Sequence, residues 1–226
     1  MTDNGTSAGI KWDNRKKENI GYNFNMKGKK NSEYEGGHRV PFIISWPDAD
    51  LAKVKTISKL TAHIDITPTL IDLCGLENPN VSFDGISLKE LLTKSDTELP
   101  DRTLIVESQR IVTPLKWRKC AVMEDEWRLI NGTELYNLKN DFEQKNDISK
   151  KHPIIVKNLR QAYEDYWDDV SKEHHITSSV IIGSDRCPVV KLSSHDWLID
   201  QLTPWSQQHV KEGFCEASAH WSIESK

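Results

Sequence analysis

The chain has 226 residues, and its 30 Lys and Arg against 34 Asp and Glu give a formal net charge of −4. That balance speaks against a nucleic-acid binder driven by phosphate contacts, and no apolar run approaches the ~18 residues of a membrane span. Hydrophobic residues make up 37%, and 8 Trp, 5 Tyr and 5 Phe exclude a disordered chain, so one large domain or two small ones with a real core are expected.

Residues 1–39 are rich in Gly, Asn and Lys with little periodicity and read as a long loop region. Residues 40–47, an apolar run with Pro41 and Pro47 at its ends, predict a short buried strand. Residues 64–73 predict a helix capped by Asp65 or Thr67, with Pro68 in its first turn and Gly75 as its stop. Ile64, Ile66, Leu70, Ile71, Leu73 and Cys74 would give that helix one broad buried face. A short helix over residues 87–92 follows, with Ser87 as its cap.

The polar interval 93–101 marks a domain boundary ahead of a strand at 103–106. Strands at 119–123, 126–130 and 134–138, the last two joined by the hairpin signal Asn131-Gly132, predict an antiparallel meander. Residues 153–170 form the clearest helix. Pro153 starts it, Ile155, Leu159, Ala162, Tyr166 and Val170 make one stripe, and Val156, Tyr163 and Trp167 widen that stripe. From Val180 onward the pattern is β-like and ends near Ile223 without a closing element, as if a further module were cut. The expected organisation is therefore 1–92, 102–170 and a β-rich 176–226.

The first residues have neither the basic nor the apolar region of a signal peptide. Cys74, Cys120, Cys187 and Cys215 form no CxxC pair, so a zinc or redox motif is unsupported, and nothing demands a disulfide. The glycosylation triplets at Asn4, Asn80 and Asn131 carry meaning only for a chain that passes through a eukaryotic secretory pathway.

Two stretches could carry chemistry. Asp3-Asn4-Gly5 sets a carboxylate beside a carboxamide, which suits a hard cation and equally suits a turn. Lys27, Lys29 and Lys30 lie in a Gly-containing loop, where they could meet an anion or form a solvated basic loop; no Walker motif is present. His38 reads as non-catalytic, His174-His175 as a solvated helix end, and His195-Asp196 as neighbours on opposite faces of a strand. Trp117, Trp127 and Trp167 read as core packing, with Trp12, Trp117 and the loop at Pro114 as a candidate substrate mouth.

Thr2-Asp3-Asn4-Gly5, then Tyr34-Glu35-Gly36-Gly37-His38-Arg39-Val40-Pro41 running to Trp46-Pro47, resembles the C-terminal half of the formylglycine-dependent sulfatases. The order continues through Asp65-Ile66-Thr67-Pro68-Thr69-Leu70, Asp84-Gly85-Ile86-Ser87-Leu88, Glu134-Leu135-Tyr136-Asn137-Leu138 and Asp141-Phe142-Glu143-Gln144-Lys145-Asn146. The resemblance covers residues 2–170. It implies an α/β, alkaline phosphatase-like fold in its C-terminal portion, with a smaller subdomain of antiparallel sheet plus helix. It further implies that Asp3 and Asn4 bind the active-site calcium, that Lys30 contacts the sulfate as a substrate-binding and catalytic residue, and that Arg39 buttresses the loop. A sulfuric ester hydrolase is implied, acting on a sulfated small molecule or glycan in the periplasm, outside the cell or in the lysosome. It gives no indication of oligomeric state.

The departures are as informative as the matches. No Cys/Ser-x-Pro-x-Arg segment, the precursor of formylglycine, occurs in the chain. The Asp-Asp pair that completes the calcium shell is missing, and Asp168-Asp169 on a helix is a poor substitute. The family's Gly-Lys-Gly is here Lys29-Lys30-Asn31. The expectation is a C-terminal sulfatase fragment that is inactive alone, from a truncated gene or one with a misplaced start. The alternatives are a non-catalytic binding remnant and a fragment of a related phosphate-ester or phosphonate hydrolase.

Overall fold

The computed structural model describes residues 1–7, 11–13, 15, 18–47, 51, 56–94, 97–109, 111, 113–174, 179–193, 198–199, 211–213 and 219–225. They fall into two compact units, 1–169 and 170–226.

The first unit is built on an antiparallel meander. After the hairpin of β1 (Lys11–Asp13) and β2 (Glu18–Ile20) come three short helices, α1 (Glu35–His38), α2 (Ile66–Leu73) and α3 (Lys89–Thr93). The meander itself runs β3 (Thr103–Glu107), β4 (Cys120–Glu124), β5 (Trp127–Ile130), β6 (Glu134–Asn137), paired in that order, and α4 (Pro153–Val170) follows. Val122 lies opposite Ile105 on one side and Leu129 on the other, and Leu129 opposite Leu135. Asn131 and Gly132 both adopt positive φ (50° and 70°), the geometry that the β5–β6 turn requires.

Side chains alternate across the sheet, and both faces are covered. Cys120, Val122, Leu129 and Leu135 meet Leu159 and Tyr163 of α4, with Ile155, Val156, Tyr166 and Trp167 packed around them. Ala121, Met123, Ile130, Tyr136 and Leu104 point the other way, onto Tyr34, Leu60 and Ala62. The N-terminal segments thus use the sheet as their floor, with α4 beneath it. The expected sheet-plus-helix subdomain is present.

Two expectations are corrected. No described residue between Gly21 and Arg102 is in a strand, and the run at 40–46 pairs with no strand, with Ile43 81% exposed. A strand is held by neighbours on its edges, and no described residue supplies one here. Helix α2 likewise lacks a broad buried face: Leu70 is 51% exposed and Thr69 is its buried residue. Asp65 stands at its N-cap position but makes no side-chain capping bond, its carboxylate being turned to Ala62, Ile86 and Arg102, whereas the C-terminus behaves as expected. Gly75 takes φ +63° and the Leu76 N–H reaches back to the Ile71 carbonyl, closing the helix.

In the second unit, β7 (Val180–Ile182) pairs in parallel with β10 (Ile223–Ser225), and β8 (Leu198–Ile199) pairs antiparallel with β9 (Ala219–His220). His175, His195, Asp196 and Cys215 lie outside the described residues. No described helix is long and apolar enough to cross a membrane.

Candidate functional site

The two stretches singled out in the sequence are brought together by backbone hydrogen bonds. The Gly5 N–H donates to the Gly37 carbonyl (2.9 Å) and the Lys30 N–H to the Thr6 carbonyl (3.0 Å). The approach is so close that a Cβ at Gly5 would fall on the Gly36 carbonyl oxygen, and one at Gly37 on that of Ser32. Glycine is needed here for space rather than for torsional freedom.

Lys30 sits on a tight turn closed by the Ser32 N–H donating to the Lys29 carbonyl (2.8 Å), with Asn31 at φ +71°. Asn31 therefore takes the left-handed conformation that a glycine would give, since Asn tolerates that region better than most residues. The departure at Lys29-Lys30-Asn31 leaves the turn intact. Lys29 and Lys30 are both exposed.

Lys27 is different. Its Nζ lies 3.9 Å from the Tyr34 ring centroid, 3.2 Å from the Tyr136 hydroxyl and 3.7 Å from Glu134 Oε2. The Tyr34 and Tyr136 hydroxyls both donate to Glu134, at 2.9 and 2.5 Å. Burial, then the hydrogen bond to Glu134, pushes both phenol pKa values up, so they remain donors. Lys27 is an anchor of the loop.

Asp3 and Asn4 are adjacent, with Asn4 Nδ2 donating to Asp3 Oδ2 at 2.5 Å. His63 Nε2 lies 3.0 Å from the Thr2 carbonyl oxygen, which makes it the protonated ring nitrogen and ties the residue before Asp3. The oxygen donors suit a hard cation such as calcium, yet two side chains fall short of its about six to eight ligands. Among the described residues no group of three or more His, Cys, Asp or Glu gathers at any point. Asp168 and Asp169 belong to α4.

Two buried carboxylates fasten these segments to the meander. Glu35 accepts from Arg128 Nε (2.8 Å) and Arg39 Nη1 (3.1 Å), while its N–H donates to Gln144 Oε1 (2.9 Å). Burial pushes the Glu35 carboxyl up, but the charges of Arg128 and His38 and the hydrogen bonds of both arginines hold it below the ordinary range. Asp65, fully buried, accepts from Arg102 Nη1 (2.8 Å) and Nη2 (2.5 Å) and from the N–H groups of Ala62 (2.8 Å) and Ile86 (3.0 Å). Burial again opposes ionisation, and these bonds outweigh it. His38 packs against Glu35, and burial lowers its pKa.

The remaining candidates do not converge on a site. Trp117 stacks on Tyr163 (3.9 Å between centroids), carries Arg160 4.7 Å from its ring, and donates from Nε1 to Glu164 (3.1 Å). With its ring taken up by Tyr163 and Arg160, Trp117 packs rather than presents a sugar platform; the side chain of Trp12 is outside the described residues. Cys120 is fully buried, and burial pushes its thiol up to about 12, far from a nucleophile. Cys74 and Cys187 are free and exposed. The sequence pattern gave no sign of His63, Arg128 or Arg102, each of which acts through a partner distant in the chain.

Comparison with known proteins gives the family. The family model described as N-sulphoglucosamine sulphohydrolase, C-terminal, matches residues 28–169, which hold the lysine turn, both carboxylate hubs and the meander. The chain belongs to that family, and its resemblance to the C-terminal part of the sulfatases is thereby shown. An N-acetylgalactosamine-6-O-sulfatase of Bacteroides thetaiotaomicron is 29% identical over 159 residues, 61% of this chain and 29% of that protein. Arylsulfatase G of Mus musculus is 44% identical over 64 residues, 28% of this chain and 12% of that protein. A solved 2-O GAG sulfatase overlaps 50% of this chain and 26% of its own, at 23% identity and a TM-score of 0.35. The chain spans less than a third of the length of these relatives.

Proposed function

We propose that these residues form the sulfate-contacting and cation-contacting C-terminal part of a sulfuric ester hydrolase, with Lys30 facing the sulfate and Asp3 and Asn4 supplying oxygens to calcium. The observation that carries the reading is the pair of backbone bonds, Gly5 to Gly37 and Thr6 to Lys30, that join the acidic motif to the lysine turn. A sulfate placed there would meet a cation bound by Asp3 and Asn4 on one side and the Lys30 ammonium on the other. Both would neutralise charge that grows on the ester oxygens as the S–O bond breaks. Lys27 is committed to Glu134 and two tyrosines, and of the two exposed lysines that remain the family resemblance points to Lys30 as the sulfate contact. Calcium, when bound, supplies electrostatic stabilisation of the sulfate oxygens and no proton.

The 226 residues contain no Cys/Ser-x-Pro-x-Arg segment, so they are expected to bind without turning over. The test is an NMR titration of the chain with p-nitrophenyl sulfate in the presence of calcium, alongside an assay for released p-nitrophenol. Shifts centred on Lys30, Asn31 and Asn4, abolished by Lys30→Ala and retained in Lys27→Ala, are expected, with no hydrolysis. A titration unaffected by Lys30→Ala would overturn the assignment, and hydrolysis by the chain alone would overturn the claim that it lacks a nucleophile.

A further inference from the structure

The residue before β4, Lys119, reaches the lysine turn. Its Nζ lies 3.4 Å from the carbonyl oxygen of Asn31, across 88 residues of sequence. Its backbone is held in the left-handed region (φ +47°), and its own carbonyl accepts from the Ser108 N–H at 3.0 Å. The side chain thus starts from the last residue of the β3–β4 loop, next to Cys120, where the Ser108 bond ties that loop's two ends together.

Lys29 and Lys30 belong to this turn and Lys119 touches it; all three are exposed, and among the described residues none has a carboxylate within ion-pair distance. The carboxylates nearby are otherwise engaged: Glu33 accepts from Asn131 Nδ2 at 2.9 Å, and Glu134 holds Lys27 and two tyrosine hydroxyls. In a chain where acids outnumber bases, 34 to 30, such an uncompensated cluster is suited to an external anion. A single sulfate can face Lys30 alone. The second cation, fixed one peptide further along the turn, calls for a second negative group.

We propose that Lys119 is a specificity-determining residue that extends the Lys30 site to a ligand with two anionic groups, a sulfate ester with a carboxylate or second sulfate close by, as on an acidic oligosaccharide. This rests on the reading of Lys30 as the sulfate contact, and it assigns to the meander a direct part in choosing the substrate. The ammonium of Lys119 acts as a point charge on the second group, and its bond to the Asn31 carbonyl holds it at the residue next to Lys30.

The test titrates the full chain, with calcium, with two probes: p-nitrophenyl sulfate, and a disaccharide carrying one sulfate and one uronate. Lys119→Met is expected to weaken the disaccharide about 5-fold to 10-fold and to leave p-nitrophenyl sulfate within about twofold, as for loss of one charge-assisted contact. Lys119→Arg should restore the disaccharide, and Lys30→Met should weaken both probes. Lys29→Met removes the same charge from the same turn and should preserve the ratio of the two affinities, which separates a specific contact from general attraction. If Lys119→Met spares the disaccharide, or weakens both probes alike, while Lys30→Met still weakens both, the role of Lys119 is overturned and that of Lys30 stands. If Lys30→Met changes neither probe, or the wild-type chain binds neither, the underlying reading of the site fails as well. Circular dichroism of each variant guards against unfolding as the cause.

Discussion

Glu35 and Arg128, 93 residues apart in sequence, meet at 2.8 Å with side chains 2% and 6% exposed. Glu35 opens the Gly36-Gly37 segment that accepts from Gly5, next to the acidic motif, and Arg128 lies in β5, so the pair couples that segment to the sheet. A buried pair adds little over a well-packed apolar substitute, but removing one partner strands the other charge, at about 3–5 kcal/mol. Glu35→Gln and Arg128→Met should each lower unfolding free energy by that order in urea titrations. The double variant should lose clearly less than the sum of the two. Additive losses would show that the two residues act independently.

The clamp between the acidic motif and the lysine turn should fail when a methyl group is added. Ala at Gly5 would place Cβ on the Gly36 carbonyl oxygen, backbone that cannot swing aside. Overpacking of this kind costs about 1–3 kcal/mol, here spent by opening the local contact. Gly5→Ala should therefore speed exchange of the Lys30 amide, whose N–H is bonded to Thr6, and leave the Leu129 amide in the meander unchanged. Equal protection of Lys30 in both proteins would show that the contact is not formed.

Asn31 should tolerate glycine and reject a β-branched residue. At φ +71° a glycine is unstrained, whereas valine pays for the left-handed backbone at about 1–2 kcal/mol. Asn31→Gly should match the wild type in thermal stability and in anion binding, and Asn31→Val should weaken both. A Val variant that behaves as the wild type would mean that the turn has another geometry.

How legible was this in the sequence? The period of α4 and the Asn131-Gly132 signal were strong because short-range chemistry determines them, and both elements stand where expected. The run at 40–46 misled because its apolar content says only that it is suited to burial, and the partner that would bury it is not among the described residues. Glu35 reads as a motif residue and Asp65 as a motif residue and helix cap, with nothing in the sequence to link them to Arg128 and Arg102. Their pairing depends on chain crossings that no local pattern encodes, and Lys119 drew no notice for the same reason.

Stability should fall in two stages as the solution is acidified. His38 has its pKa lowered by burial from 6.5, so below pH 6.5 the unfolded chain binds a proton that the folded chain refuses, and stability drops with pH. The carboxyls of Glu35 and Asp65 lie below their ordinary 4.5 and 3.8 in the fold. Their contribution is present above those values and is lost as pH falls through the folded pKa values. Urea midpoints from pH 8 to 3 should show a shallow decline beginning near 6.5 and a steeper one below about 4.5. His38→Gln should remove the first stage alone; an unchanged slope between pH 7 and 5 in that variant would assign the decline elsewhere.

Calcium should bind weakly. Asp3 and Asn4 offer oxygens of the right hardness, but two side chains leave most of the about six to eight positions to water, and each water retained forgoes the charge and preorganisation that tighten a site. An affinity in the millimolar range or weaker is expected, like that of the sparsest natural sites at about 10⁻⁴–10⁻³ M. Asp3→Ala should abolish it, because the carboxylate is the one charged donor of the pair, while Asn4→Ala should weaken it further toward the limit of detection. Calorimetry of the full chain with calcium chloride, repeated with the two variants, reads this directly. Micromolar affinity that survives Asp3→Ala would place the cation at other residues and detach Asp3 from the function proposed for it.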